Sequence, residues 1–415
     1  MTIHEADSAQ QVDHLLHDPS GGATPVFAVL DPLRAVGALA VVLTHVTFWT
    51  GDYFRHGIVG LMLPRLDVGV AIFFVLSGFL LSHQYLASAV RGRPHDGVRR
   101  YYWKRFLRIY PPYLIAVVLA MVFVRVDDEP TLHDWVTVLW MGDIYVSDSL
   151  RFGQTQMWSL ATEVSFYIVL PLLMWLAGAK GRLRPTTRRV MGMVLALVAL
   201  NVAWTLLLNK WAYDLETGLP GQWLPNYLMW FAGGIALAWA HVITTTRGPG
   251  PWLHRLITLG RQPGVCWAIA LSLLVVAATP LSGPALFDPS TPGEALTRQT
   301  LYALIGVLLV LTGVFSDPDS TYARVMSTRL ARRLGHISFG VFCIHLVVLH
   351  FVYWATPYVK FEGNHLWPVL GLTLLITLPL AELIYRLVER PSMRLRHVGS
   401  ATARTTPVRA ATHKS

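Results

Sequence analysis

Long apolar runs alternate with short polar connections along the whole chain, and the runs are too long and too uniform for the half-buried helices of a soluble domain. Runs able to cross a hydrocarbon layer of about 30 Å fall at roughly 28–50, 68–86, 109–126, 157–178, 190–208, 226–243, 264–280, 299–315, 336–354 and 366–388. The pattern therefore predicts an all-α polytopic membrane protein, a bundle of about ten transmembrane helices. Pro111, Pro112, Pro171 and Pro379 lie in or beside these runs, where neighbouring helices can satisfy the freed carbonyls. The patch "WVTVLWMGDIYV" is short and reads as an interfacial segment, not an eleventh span. Residues 1–27 and 391–415 are polar and read as disordered cytoplasmic tails, the second basic, flanking a membrane domain over 28–390.

Composition agrees: 53% of residues are hydrophobic and only 14% charged. The formal net charge of +10 would suggest nucleic acid in a soluble chain, so the placement of the basic residues decides what it means. Alternate loops and the C-terminal tail carry 25 of the 34 Lys and Arg, which predicts that those loops and both termini are cytoplasmic. No nucleic-acid partner is expected. The two cysteines, Cys266 and Cys343, sit inside apolar runs and predict no disulfide framework.

Several reaction classes lack their sequence signatures. There is no G-x-S-x-G elbow, no phosphate loop and no G-x-G-x-x-G. H-E-x-x-H is missing too, and His345 and His350 are five apart, the wrong offset for one helical face, so no metal is expected.

Polar groups inside apolar helices remain. In "LRAVGALAVVLTH", Arg34 and His45 are eleven residues apart, roughly 1100° of helix, so they share a face about 16 Å apart along the axis. The expected topology puts Arg34 near the cytoplasmic side and His45 toward the outer leaflet. The fourth run starts outside at "QMWSLATEVSFY", which places Glu163 at a depth comparable to His45. A carboxylate there would hold the imidazole in one tautomer and stabilise its protonated form, as a general base requires; a structural pair that fixes helix register is the alternative. In "RRYYWKRFLRIYPPY", Arg105 and Arg108 are three apart and could clamp a phosphorylated ligand, whereas Arg99, Arg100 and Lys104 read as anchors to anionic lipid. Ser77, beside Gly78 and Phe79, reads first as a helix-packing position whose hydroxyl bonds back to its own helix. His345 is either a second proton carrier or a buried His satisfied by a neighbouring helix, and Glu382 is left without a role.

"LDPLRAVGALAVVLTH", "VGVAIFFVLSGFLLS", "RFLRIYPPY", "MWSLATEVSFYIVLPLL", "ISFGVFCIHLVV" and "LVERP" together resemble, in this order, the membrane acyltransferase family 3 over residues 28–395. The family includes O-antigen acetylases, exopolysaccharide and nodulation-factor acyltransferases and antibiotic acylases. The resemblance implies transfer of an acyl group from acyl-CoA, acetyl-CoA among the candidates, to a hydroxyl of a glycan, glycolipid or secondary metabolite. It implies no permanently bound cofactor and a multi-pass place in a bacterial cell membrane. The family's Arg-x10-His motif corresponds to Arg34 and His45, its Arg-x-x-Arg to Arg105 and Arg108, its Ser-Gly-Phe to Ser77, Gly78 and Phe79, and its Trp-Ser-Leu-x-x-Glu to Trp158, Ser159, Leu160 and Glu163. Pro32 departs from the usual Gly, and Ala161 and Thr162 from the commoner Ser and Val. Some members carry a fused extracytoplasmic hydrolase-like domain, which is not expected in this chain.

The resulting expectation assigns catalysis to His45 and Glu163, and donor phosphates to Arg34, Arg105 and Arg108. Ser77, Trp158 and His345 are weaker substrate candidates. The rival reading is a transporter of a small anion or glycan unit with His45 and Glu163 as a proton relay.

Overall fold

The computed structural model describes residues 27–397 apart from 56, 94–96, 125–128, 181–183, 216–217 and 286–288; residues 1–26 and 398–415, most of the two expected tails, lie outside the described residues. Ten principal helices correspond one for one to the ten apolar runs. They are α1 Leu30–Thr50, α2 Gly69–Val90, α3 Val98–Phe123, α4 Met157–Leu176, α5 Thr187–Ala203, α6 Leu228–Arg247, α7 Pro263–Ala277, α8 Pro292–Phe315, α9 Arg329–Ala355 and α10 Leu366–Ile384. Among the described residues nine helical stretches are long and apolar enough to span; α7 makes a tenth only together with Pro251–Gly260, from which it is bent by 84°. The "WVTVLWMGDIYV" patch forms two short helices, Leu132–Leu139 and Asp143–Val146, neither long enough to cross.

Burial sorts the helices into layers. In α8 and α9 67% of the most apolar window is buried, against 22% in the stretch containing α5 and 28% in that containing α10, so α5 and α10 form the rim. Leu195, Leu207, Leu375 and Leu383 stand exposed on those rim helices, as a lipid-facing surface requires. The centre is α2, which packs against α6, α8, α1 and α4. Its approach to α6 depends on glycine: a Cβ at Gly78 would sit 2.3 Å from the Phe231 carbonyl oxygen. Small residues allow such contact where lipid gives no hydrophobic drive for helix association.

Two helices carry π-helical turns, Trp204–Leu208 after α5 and Tyr385–Glu389 after α10. The second shifts the register so that Glu389 turns into the bundle and is fully buried, before a last turn Arg390–Arg394. Glu382, one side of α10 away, is held by Arg333 of α9 (Nε–O 2.7 Å) and by Arg386. Its exceptional position is thus a rim ion-pair cluster that ties α9 to α10.

Candidate active site

The ends of α1 and α3 meet α2, α4 and α9 around a cavity enclosing about 790 Å³ of empty space, its open mouth included. Arg34, Arg105 and Arg108 line one end, with Ser338 of α9 nearby; Ser77, Ser159, Glu163 and Tyr167 line the middle, and Phe73, Phe74 and Phe342 stand at the far end. Three guanidinium groups in one cavity can grip an anion such as a phosphate, because each presents a planar fork of donors.

The spacing of the motif residues explains this convergence. Arg105 and Arg108 are one turn apart on α3, and α1 is unbroken from Leu30 to Thr50, so the expected shared face and 16 Å separation of Arg34 and His45 hold by helix geometry. Arg108 is not free: it forms an ion pair with Glu389, a residue the sequence reading missed. Its signal was present in "LVERP", but a span ending at 388 left the carboxylate outside the bundle.

Glu163 does not pair with His45, contrary to expectation. It accepts hydrogen bonds from Ser77 and from Tyr167, one turn further along α4 (Oη–Oε1 2.6 Å). Depth is the reason. Residues 132–156 fold in beside the bundle before α4 begins, and Gln156 is already buried, its Nε2 donating to the Cys343 carbonyl of α9 at 3.0 Å. Glu163, seven residues further, lies about 10 Å nearer the arginine end than that level. Ser77 is likewise corrected: its hydroxyl reaches across to Glu163 instead of bonding back to its own helix. Tyr167 was not singled out, although an i,i+4 offset from Glu163 is readable from sequence.

The actual partner of His45 is His345. His345 Nδ1 lies 2.8 Å from the Phe342 carbonyl and 3.1 Å from that of Val341, and carbonyls only accept, so this network assigns the proton to Nδ1. His345 Nε2 then presents a lone pair to His45 Nδ1 at 3.1 Å. His45 Nδ1 also lies 2.9 Å from the Val41 carbonyl, so it too carries the proton. The lone pair of His45 is left on Nε2, which has no partner among the described residues and belongs to a half-buried side chain. His345 is fully buried and satisfied by its own helix's carbonyls and by His45 of α1, as the second of its two alternatives describes.

The histidine pair is not in the wall of the arginine cavity. Phe73 and Phe342 stack edge to face between them, ring centroids 6.0 Å apart, with His345 behind Phe342 at 6.2 Å. Trp158 also stays outside the cavity wall and packs on Tyr227 at the start of α6, 5.0 Å between ring centroids.

The multi-pass bundle thus holds an arginine-lined cavity at one end and an oriented histidine beyond it. The chain belongs to acyltransferase family 3, described as an acyltransferase domain, which it matches over residues 27–386. It is similar to "Peptidoglycan O-acetyltransferase OatA" of Listeria monocytogenes, 23% identical over 87% of this chain and 55% of the relative. It is also similar to "Acyltransferase MdmB" of Streptomyces mycarofaciens, 26% identical over 88% of this chain and 91% of the relative. "Nodulation protein 10" of Rhizobium leguminosarum bv. viciae is 23% identical over 88% and 93%. The chain spans about half the length of the peptidoglycan O-acetyltransferases it matches. No solved structure matches. Family and relatives do not favour the transporter reading.

Proposed function

We propose that the protein is an integral membrane O-acyltransferase that moves an acyl group from acyl-CoA to a hydroxyl on a glycan, glycolipid or secondary metabolite. The observation that carries this reading is the succession, within one bundle, of an arginine-lined cavity and a histidine pair whose outer ring has an open Nε2. Arg34 and Arg105 hold the donor's phosphates, with Arg108 shared between donor and Glu389. The pantetheine arm runs along the α1 face from Arg34 toward His45, a distance of about 16 Å, and its thioester passes between Phe73 and Phe342. His45 Nε2 takes the acceptor proton, and His345 orients the ring in place of Glu163. Glu163 balances the positive charge of the cavity and fixes Ser77 and Tyr167. The arginine end faces the cytoplasm, where CoA is found and where the basic loops lie.

Transfer from radiolabelled acetyl-CoA, with the protein in detergent or liposomes, tests this. Acylated product that disappears with His45→Ala is expected. A folded His45→Ala protein with full transfer overturns the mechanism, and ligand flux without acetyl-CoA consumption overturns the enzyme.

A further inference from the structure

The cavity that holds the three arginines ends on two aromatic rings. Phe73 of α2 and Phe342 of α9 stand edge to face, ring centroids 6.0 Å apart with 70° between their planes. Phe73 leans on α1, where an added Cβ at Gly37 would meet two of its ring carbons at 3.3 and 3.4 Å. Gly37 lies between Arg34 and His45, about 4.5 Å along the helix axis from the first and about 12 Å short of the second. The two rings therefore stand across the way that the donor arm takes from the phosphate end to the base. Phe342 is 5% exposed and backed by the fully buried His345, ring centroids 6.2 Å apart, so it has no room to retreat. Phe73 is half-buried and rests on a residue without a side chain, so it is the ring that swings.

We infer that Phe73 and Phe342 set the length of the acyl group that is transferred: a two- or three-carbon group passes between them to His45, and a longer one is held back on the arginine side. This deepens the acyltransferase reading above and rests on it. A close-packed interior gives a passing chain only the space that a displaced ring vacates, and every methylene beyond that overpacks it. Acetyl carries a single methyl through. Hexanoyl adds four methylenes, and the buried histidine behind Phe342 leaves them no space past the rings. On the arginine side, by contrast, Leu76, Leu80 and Leu81 of α2 line the cavity, so a long tail rests against them while the CoA phosphates stay on the arginines. A long-chain donor is thus bound and not transferred.

For the group that passes, the step balances. The acceptor hydroxyl oxygen bonds to the thioester carbonyl carbon while its proton goes to His45 Nε2. The carbon–sulfur bond then breaks, and the proton returns from His45 to the departing thiolate, giving an ester and free CoA thiol.

The test reads release of free CoA thiol from acetyl-CoA and from hexanoyl-CoA by the purified full-length protein in detergent, with glycerol and water as acceptors. One methylene in a tight apolar site is typically worth about tenfold or more, so acetyl should be favoured at least 100-fold. Phe73→Ala and Phe342→Ala should each raise the hexanoyl-to-acetyl ratio at least tenfold; a ratio is read so that partial loss of folded protein cancels. Hexanoyl-CoA should also compete with acetyl-CoA in the unaltered protein. A second readout needs no turnover and uses the donor analogues in which a methylene replaces the thioester sulfur. Carbethoxylation of His45 by diethyl pyrocarbonate, mapped by mass spectrometry, is slowed by the acetyl analogue and not by the hexanoyl one, until Phe73→Ala admits it. A ratio unchanged in both variants, or equal protection of His45 by both analogues in the unaltered protein, overturns the length limit while leaving acyl transfer intact. No thiol release from either donor, together with no protection by either analogue, overturns the acyl-CoA donor itself.

Discussion

His345 Nε2 stands 3.1 Å from His45 Nδ1, and the carbonyls of Val41, Val341 and Phe342 fix both rings in the same tautomer. What His45 needs from its neighbour is an acceptor at that point. His345→Gln keeps an acceptor oxygen at similar reach, whereas His345→Leu removes it and frees the ring. His345→Leu is therefore expected to lower kcat about 100-fold or more, the scale of general-base assistance, and His345→Gln by much less. The pH profile separates this from simple damage: the acidic limb of kcat moves in the Leu variant and stays in the Gln variant. Equal losses in both variants, with unmoved profiles, would mean that His345 only fills space.

Glu163 sits with Ser77 and Tyr167 in the arginine cavity, so its removal should act on the donor and not on proton abstraction. Glu163→Gln is expected to change the KM for acetyl-CoA severalfold while the pH midpoint of kcat stays put. Ser77→Ala should follow in the same direction with a smaller effect. Steady-state kinetics at several pH values checks both, and a displaced midpoint in Glu163→Gln would restore Glu163 as the partner of the base.

The ten helices were legible because apolar length is nearly the whole signal in a bilayer, where backbone groups must be satisfied within each span. That Arg34, Arg105 and Arg108 belong together was legible from their motif spacing, and the structure brings all three into one cavity. Apolar length places Glu163 level with His45 only if every helix starts at the membrane surface. α4 starts inside, after the buried Gln154 and Gln156. The His45–His345 contact joins positions 300 apart in sequence, and no local pattern encodes which buried histidine meets which. Glu389 depends on a π-helical turn, a register change that 3.6-residue periodicity does not anticipate.

Arg108 and the fully buried Glu389 form an ion pair that joins α3 to the end of α10. Removing one partner strands the other's charge, which typically costs about 3–5 kcal/mol, whereas replacing both by apolar residues is often neutral. Arg108→Leu should thus lower the unfolding temperature in detergent markedly. The double variant Arg108→Leu with Glu389→Leu should recover most of that loss, though not donor affinity. Additive losses in the double variant would show that the two side chains contribute independently.

Two glycines in the bundle predict opposite signs for the same substitution. Gly78 of α2 faces the Phe231 backbone of α6 so closely that an added Cβ would meet its carbonyl oxygen at 2.3 Å, and rigid backbone on both sides cannot give way cheaply. Gly78→Ala must push α2 from α6, at a cost of about 1–3 kcal/mol or more, and it disturbs Ser77 and Phe79 on either side. Gly192 lies inside rim helix α5 with nothing within 4 Å of its added Cβ. There alanine only improves helix propensity, a gain of up to about 1 kcal/mol. Thermal unfolding of both variants in the same detergent should move in opposite directions. A harmless Gly78→Ala would mean that α2 and α6 do not pack at this spacing, and with that the position of Ser77 opposite Glu163 would have to be redrawn.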